Sequence, residues 1–279
     1  MNRFEVSIAV LVAIGASLSG SACRREEPPL PGQPVSAAAP ATSAVSVTSA
    51  VSATSAVSAT SAEPEAAGLR FLERVTGGAR ASDALPLIVG IHGRGGRPEH
   101  FGHALSLLTI RARVILPYAP TPAGDGFTWL PDWTNDADLA REIRPVADRI
   151  AAMITDVVAK RPTVGKPVVT GFSQGGMLSF TIAVTHPDVV GAVFPIGGFL
   201  APPLLPSVWP PGAPKIPVHA FHGAADERVP VEGARSTVRA LKALGLDARL
   251  TEYPGVGHRV VPEMQRDIVQ AIEEALKTP

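Results

Sequence analysis

From residue 69 onward the chain alternates short apolar runs with longer stretches of helical periodicity. Leu69–Val75 reads as an early strand, and Leu85–Ile91 as a buried one, because its apolar residues run on without alternation. Pro98–Leu108 predicts a helix with proline in its first turn. Arg113–Leu116 is the next strand, followed by a Gly/Pro/Trp-rich loop to about Asn135. Asp136–Ala159 predicts a long amphipathic helix interrupted by Pro145. Val168–Phe172 is a strand, with a helix-forming stretch from Met177 to about His186. Gly191–Pro195, Val218–Phe221 and Ala248–Glu252 follow as strands, with helices over Val231–Leu244 and Pro262–Leu276. Strand–helix alternation of this kind predicts an α/β fold with a mostly parallel central sheet and helices on both faces. No segment is long enough for a large cap domain, and Gly198–Pro217, rich in proline, reads as a rigid connecting loop rather than a lid.

The first 67 residues break this pattern. Residues 1–22 read as a signal peptide, with Arg3 as a weak basic start, an apolar run Val6–Leu18 and the small residues Ser19-Gly20-Ser21-Ala22. The apolar run is short for a bilayer span. Cys23, the only cysteine of the 279 residues, has no partner for an internal disulfide. Its position resembles the lipidated cysteine of bacterial lipoproteins, except that Gly20 stands where leucine is usual. The expected localisation is therefore export, either anchored to a membrane of the bacterial envelope through Cys23 or secreted. Residues 23–67 carry a hexad repeat, Ser43-Ala44-Val45-Ser46-Val47-Thr48 and two near copies. Small side chains in three short repeats bury too little to fold, so a disordered tether is expected, with the folded domain spanning 68–279. Formal net charge is zero, which gives no basis for a nucleic-acid partner.

The chemistry is concentrated at strand ends. Gly171-Phe172-Ser173-Gln174-Gly175-Gly176 closes the Val168 strand with Gly-x-Ser-x-Gly. In a strand–turn–helix context this is a nucleophile elbow, and the small residues on either side of Ser173 meet its steric demand. The strand Pro217–Gly223 leads into Asp226, and Tyr253-Pro254-Gly255-Val256-Gly257 presents His258. The order Ser173, Asp226, His258 is that of α/β-hydrolases. Serine needs a base at neutral pH: His258 would take its proton and Asp226 would fix the imidazole tautomer. His92-Gly93-Arg94-Gly95-Gly96 follows the Leu85 strand, so the backbone N–H groups of Arg94 and Gln174 are the candidate oxyanion donors.

With these motifs the region from Leu69 onward resembles the phospholipase/carboxylesterase branch of the α/β-hydrolases, which includes acyl-protein thioesterases. The resemblance rests on His92-Gly93, Pro117-Tyr118-Ala119-Pro120, Gly171–Gly176, His222-Gly223 with Asp226 and Val229-Pro230, and Gly257-His258. It implies hydrolysis of a small-molecule or lipid-like ester or thioester through an acyl-enzyme, without metal or organic cofactor. The chain departs from the branch at Arg94, where an apolar residue is usual, and in the segment Pro202–Pro217. Other readings are an esterase for aromatic, plant-wall or polyester substrates, a peptidase, or a tethered non-catalytic binding domain on the same fold. Trp129, Trp133 and Trp209 are candidate substrate-binding residues, each with a core role as the alternative. His92, His100 and His103 lack the ligand spacing of a metal site. His219 and His222, three apart on a strand, point to opposite faces.

Overall fold

A computed structural model describes residues 63–277. The expected signal segment, Cys23 and nearly all of the expected tether lie outside the described residues. Eight strands form one sheet: β1 (Glu65–Ala66), β2 (Leu69–Val75), β3 (Leu87–Ile91), β4 (Arg113–Pro117), β7 (Val168–Phe172), β8 (Ala192–Ile196), β9 (Val218–Gly223) and β10 (Ala248–Tyr253). Their order is β1-β2-β4-β3-β7-β8-β9-β10. The six strands from β4 to β10 are parallel, and β2 and β1 add antiparallel edges.

Period-2 alternation assigns each strand residue to a layer. Leu87, Val89, Val169, Val193 and Ala220 face helices α2 (Asp136–Lys160), α3 (Gln174–Thr185) and α4 (Val231–Ala243). Ile88, Val168, Phe194 and Phe221 face α1 (Pro98–Ala104) and α5 (Pro262–Lys277). Parallel register brings the strand ends together. Ile91 pairs with Gly171, Phe172 with Ile196, and Gly223 with Tyr253, so the loops carrying His92, Ser173, Asp226 and His258 leave from one edge of the sheet.

The structure corrects several expected boundaries. Folded chain begins before residue 68. Ala67 (φ 49°) and Gly68 (φ 71°) form the two-residue turn between β1 and β2, both left-handed as the twist of a tight hairpin demands. Glu63 already accepts hydrogen bonds from Tyr118 Oη at 2.8 Å and Arg70 Nη1 at 3.0 Å. The loop expected up to Asn135 contains a second hairpin, β5 (Thr121–Ala123) with β6 (Gly126–Thr128). α1 stops at Ala104, short of Leu108. α2 runs through Pro145 without interruption. Pro145 is exposed, while Ile143, Ala147, Ile150 and Ile154 lock the opposite face into the core. The carbonyl that loses its partner at the proline can therefore turn to solvent. Asn135 Oδ1 caps α2, accepting from Asp138 N–H at 2.9 Å. Between β8 and β9 the chain makes only a short 3-10 turn, Pro202–Leu204. No helix of the described residues is long and apolar enough to cross a membrane.

Arg113, at the start of β4, is fully buried. Its guanidinium pairs with Glu73 and donates to Ala81 O at 2.9 Å. Glu73 also binds Arg161, at 3.1 Å. Glu73→Gln would leave a buried cation without its counter-charge. The expected cost is about 3–5 kcal/mol, read as a lowered urea midpoint at unchanged slope.

Candidate active site

Ser173 occupies the turn between β7 and α3 with φ 59° and ψ −116°. A side chain in this region costs about 1–3 kcal/mol and survives only where its surroundings hold it. Ser173 N–H donates to Ile196 O at 2.9 Å, and its carbonyl receives Met177 N–H at 2.9 Å. A Cβ on Gly171 would sit 2.4 Å from Gly175 O, and one on Gly175 would sit 2.1 Å from Ile91 O. Those two positions accept no side chain. α3 begins at Gln174, three residues before the expected start at Met177. Gln174 is thus the first helical residue, and its N–H has no intrahelical acceptor.

The structure brings the three singled-out side chains together. His258 Nε2 lies 2.9 Å from Ser173 Oγ, and His258 Nδ1 lies 2.6 Å from Asp226 Oδ2. Phe172 packs on the imidazole with ring centroids 4.6 Å apart. Asp226 is buried, and its other oxygen, Oδ1, accepts from Arg228 N–H at 3.0 Å and Val229 N–H at 2.9 Å. A carboxylate only accepts, so Nδ1 carries the imidazole proton and Nε2 presents its lone pair to the serine hydroxyl. Behind Asp226 stands buried His222, whose Nε2–H donates to Val229 O at 2.8 Å and lies 3.5 Å from Asp226 Oδ2. Burial holds His222 below the ordinary histidine range, which keeps it neutral. His219, across the strand, hydrogen-bonds Thr251 Oγ1 at 2.8 Å, and burial lowers it to about 4.

The loop after β3 arches over Ser173. A Cβ on Gly93 would come within 3.1 Å of Ser173 Cβ. Buried His92 fixes this loop, a role that sequence reading did not give it. Ala119 N–H donates to His92 Nε2 at 3.2 Å, so Nδ1 carries the proton and donates to Gly93 O at 2.8 Å. Gly96 N–H donates to the same carbonyl at 3.0 Å. The Gly93 carbonyl and the Arg94 N–H belong to one trans peptide and point in opposite directions. Holding the carbonyl therefore aims the N–H. Burial also keeps His92 below the usual histidine range, so the neutral tautomer persists. The β5–β6 hairpin braces the loop from outside: Gly95 N–H donates to Phe127 O at 2.8 Å, and Phe127 N–H to Gly96 O at 2.9 Å. His92→Ala should free this peptide and orphan Ala119 N–H. With the Arg94 N–H as the candidate oxyanion donor, its misplacement should lower kcat by up to about 10²–10³, with a smaller change in KM, as steady-state ester hydrolysis would show.

Ser173, Gln174 and His258 line a cleft of about 680 Å³ together with Arg94, Trp133, Met177, Phe199 and Arg228. Of the three tryptophans proposed for substrate binding, only Trp133 lines it. Trp129 is buried, and its indole N–H donates to His92 O at 2.9 Å, which makes it a support of the loop. Trp209 is buried in the Pro-rich connection, where it donates to Ala213 O at 3.1 Å. Both corrections have one cause: an indole buries a large apolar area once its single donor finds a carbonyl. The Gln174 side chain also points away from chemistry, since its Oε1 accepts from Trp129 N–H at 3.1 Å. The Arg94 guanidinium pairs with Asp132. His100 and His103 are exposed on α1, and among the described residues no three acidic, histidine or cysteine side chains are grouped to hold a metal ion.

The sheet order, the strained serine elbow and the strand-end loops define an α/β-hydrolase fold. The model of the phospholipase/carboxylesterase family matches residues 80–276, and the chain belongs to that family. Over 107 residues it is 36% identical to an acyl-protein thioesterase 1 of Gibberella zeae, a match covering 37% of this chain and 45% of that protein. It is 29% identical over 177 residues to a probable carboxylesterase of Oryza sativa subsp. japonica, covering 59% and 75% of the two chains. The crystal structure of esterase PE8 superposes with a TM-score of 0.64 at 24% identity, covering 75% of this chain and 99% of that one. At that identity the likeness speaks for the fold alone.

Proposed function

We propose that this chain is a serine hydrolase that cleaves carboxylic esters or thioesters through an acyl-enzyme. The observation that carries the reading is the unbroken hydrogen-bonded chain from Ser173 Oγ through His258 to buried Asp226. As Ser173 Oγ attacks the substrate carbonyl, His258 Nε2 takes the hydroxyl proton and Asp226 stabilises the resulting imidazolium. The Arg94 and Gln174 N–H groups receive the negative charge that develops on the carbonyl oxygen. Collapse of the tetrahedral intermediate expels the alcohol or thiol, which takes the proton from His258. Water then repeats the sequence on the acyl-enzyme, releasing the acid and restoring Ser173. Each protein group in this cycle ends in the state in which it began.

The family's named thioesterases and carboxylesterases support both ester types. The N-terminal sequence supports export, with Cys23 as a lipid anchor and the repeat-bearing segment as a spacer from the membrane. The function is tested by assaying purified protein on a series of 4-nitrophenyl esters of increasing chain length beside matched acyl thioesters. Turnover that saturates with substrate and vanishes in Ser173→Ala is the expected result. Turnover unchanged by that substitution would contradict it.

A further inference from the structure

The cleft at Ser173 has an uneven charge. Its apolar walls are Trp133, Phe172, Met177 and Phe199, and among the described residues that line it none is acidic. Its charged side chains are two guanidinium groups, Arg94 and Arg228. Elsewhere on the described surface, Arg141, Arg144 and Arg235 are paired with carboxylates, while exposed Arg249, Arg259 and Arg266 have no such pair; Arg228 differs from these three in lining the cleft. The exposed Arg228 guanidinium has neither an ion pair nor a hydrogen bond among the described residues. Its backbone is not free: Arg228 N–H is committed to Asp226 Oδ1 at 3.0 Å. The loop that holds Asp226 therefore also holds an unpaired cation at the rim of the cleft. Arg94 stands on the other loop, above Ser173. Its partner Asp132 is 80% exposed, so that pair is a weak one that a substrate anion can displace.

The geometry points to an ester substrate that carries an anionic oxygen group near its scissile bond, gripped by Arg228 with Arg94 as a second contact. This rests on the hydrolase reading above and narrows its substrate class. The apolar walls take the uncharged body of the substrate, and the guanidinium forks take a carboxylate or a phosphate, whose paired oxygens they match. A neutral ester fills the same walls and leaves Arg228 without a partner.

Two matched pairs of substrates test this and separate the two sides of the ester. On the acyl side, 4-nitrophenyl hydrogen adipate is compared with its neutral methyl ester. On the alcohol side, 4-carboxyphenyl butyrate is compared with 4-carbamoylphenyl butyrate. The ratio of kcat/KM, anionic over neutral, is measured for wild type, Arg228→Gln, Arg228→Lys and Arg228→Glu. Comparing ratios across variants cancels the intrinsic reactivity of each ester and any general loss of activity. In at least one pair the ratio should fall about tenfold in Arg228→Gln, as expected for losing one charge-assisted contact. It should be largely restored in Arg228→Lys and fall furthest in Arg228→Glu. The wild-type ratio should also shrink between about 0.05 and about 0.5 M salt, because an exposed cation is screened. A ratio in both pairs that Arg228→Gln and Arg228→Glu leave unchanged, with the neutral esters still hydrolysed, overturns this inference and leaves the hydrolase reading standing. Absence of hydrolysis of all four esters by the wild type overturns both.

Discussion

Ser173→Ala is expected to lower kcat for ester hydrolysis by roughly 10³–10⁶ while leaving the fold intact. The size follows from what the hydroxyl does. In the proposed cycle it forms the bond to the substrate, and alanine offers no nucleophile in its place. The Arg94 and Gln174 N–H groups and the cleft walls remain, so a residual rate above that of water should persist. Alanine should tolerate the elbow about as well as serine, because the strain at φ 59° belongs to any residue with a Cβ. Circular dichroism and the thermal midpoint should therefore stay close to wild type while activity collapses. An equal loss of both would mean that Ser173 is structural.

Asp226→Asn should come close to this, with kcat lowered by about 10⁴. The reason is directional. Asp226 Oδ1 receives two backbone N–H groups, from Arg228 and Val229. An asparagine must keep its carbonyl oxygen on that side, because its NH₂ would clash with both donors. The NH₂ is then forced toward His258 Nδ1, which must become an acceptor. The imidazole proton moves to Nε2 and faces Ser173, where a base is needed. The variant should keep its fold and substrate binding and lose the base. Asp226→Asn retaining more than about a tenth of wild-type kcat would show that the carboxylate is not what sets the tautomer.

Much of this arrangement is legible in the sequence, for physical reasons that differ between elements. β7 and its elbow are visible because Gly171 and Gly175 face backbone oxygens at distances no side chain permits, a constraint written directly into residue type. The parallel strands are visible because burial on both faces demands continuous apolar runs. The start of α3 was not, since Gln174-Gly175-Gly176 is poor helix-forming sequence and is held helical by the elbow. The turn at Ala67-Gly68 was hidden because alanine gives no sign that it adopts a positive φ. Pro145 suggested a break in α2, but packing of the opposite face outweighs the lost hydrogen bond. At the site, residue type pointed to Ser173, Asp226 and His258. The supports of that site, His92 and His222, could not be assigned from type alone. Their roles depend on which nitrogen meets which carbonyl across elements far apart in the chain. Arg113 is similar: nothing local marks it as buried, and its partner Glu73 lies 40 residues away.

The central claim is that Ser173 is a nucleophile activated by His258. It is tested most directly by reacting the purified protein with a fluorophosphonate probe and locating the adduct by mass spectrometry. The account predicts a single covalent adduct on Ser173, absent in Ser173→Ala and formed far more slowly in His258→Ala. An ester-hydrolysing preparation in which Ser173 stays unmodified, or in which the adduct forms at another residue, would contradict it.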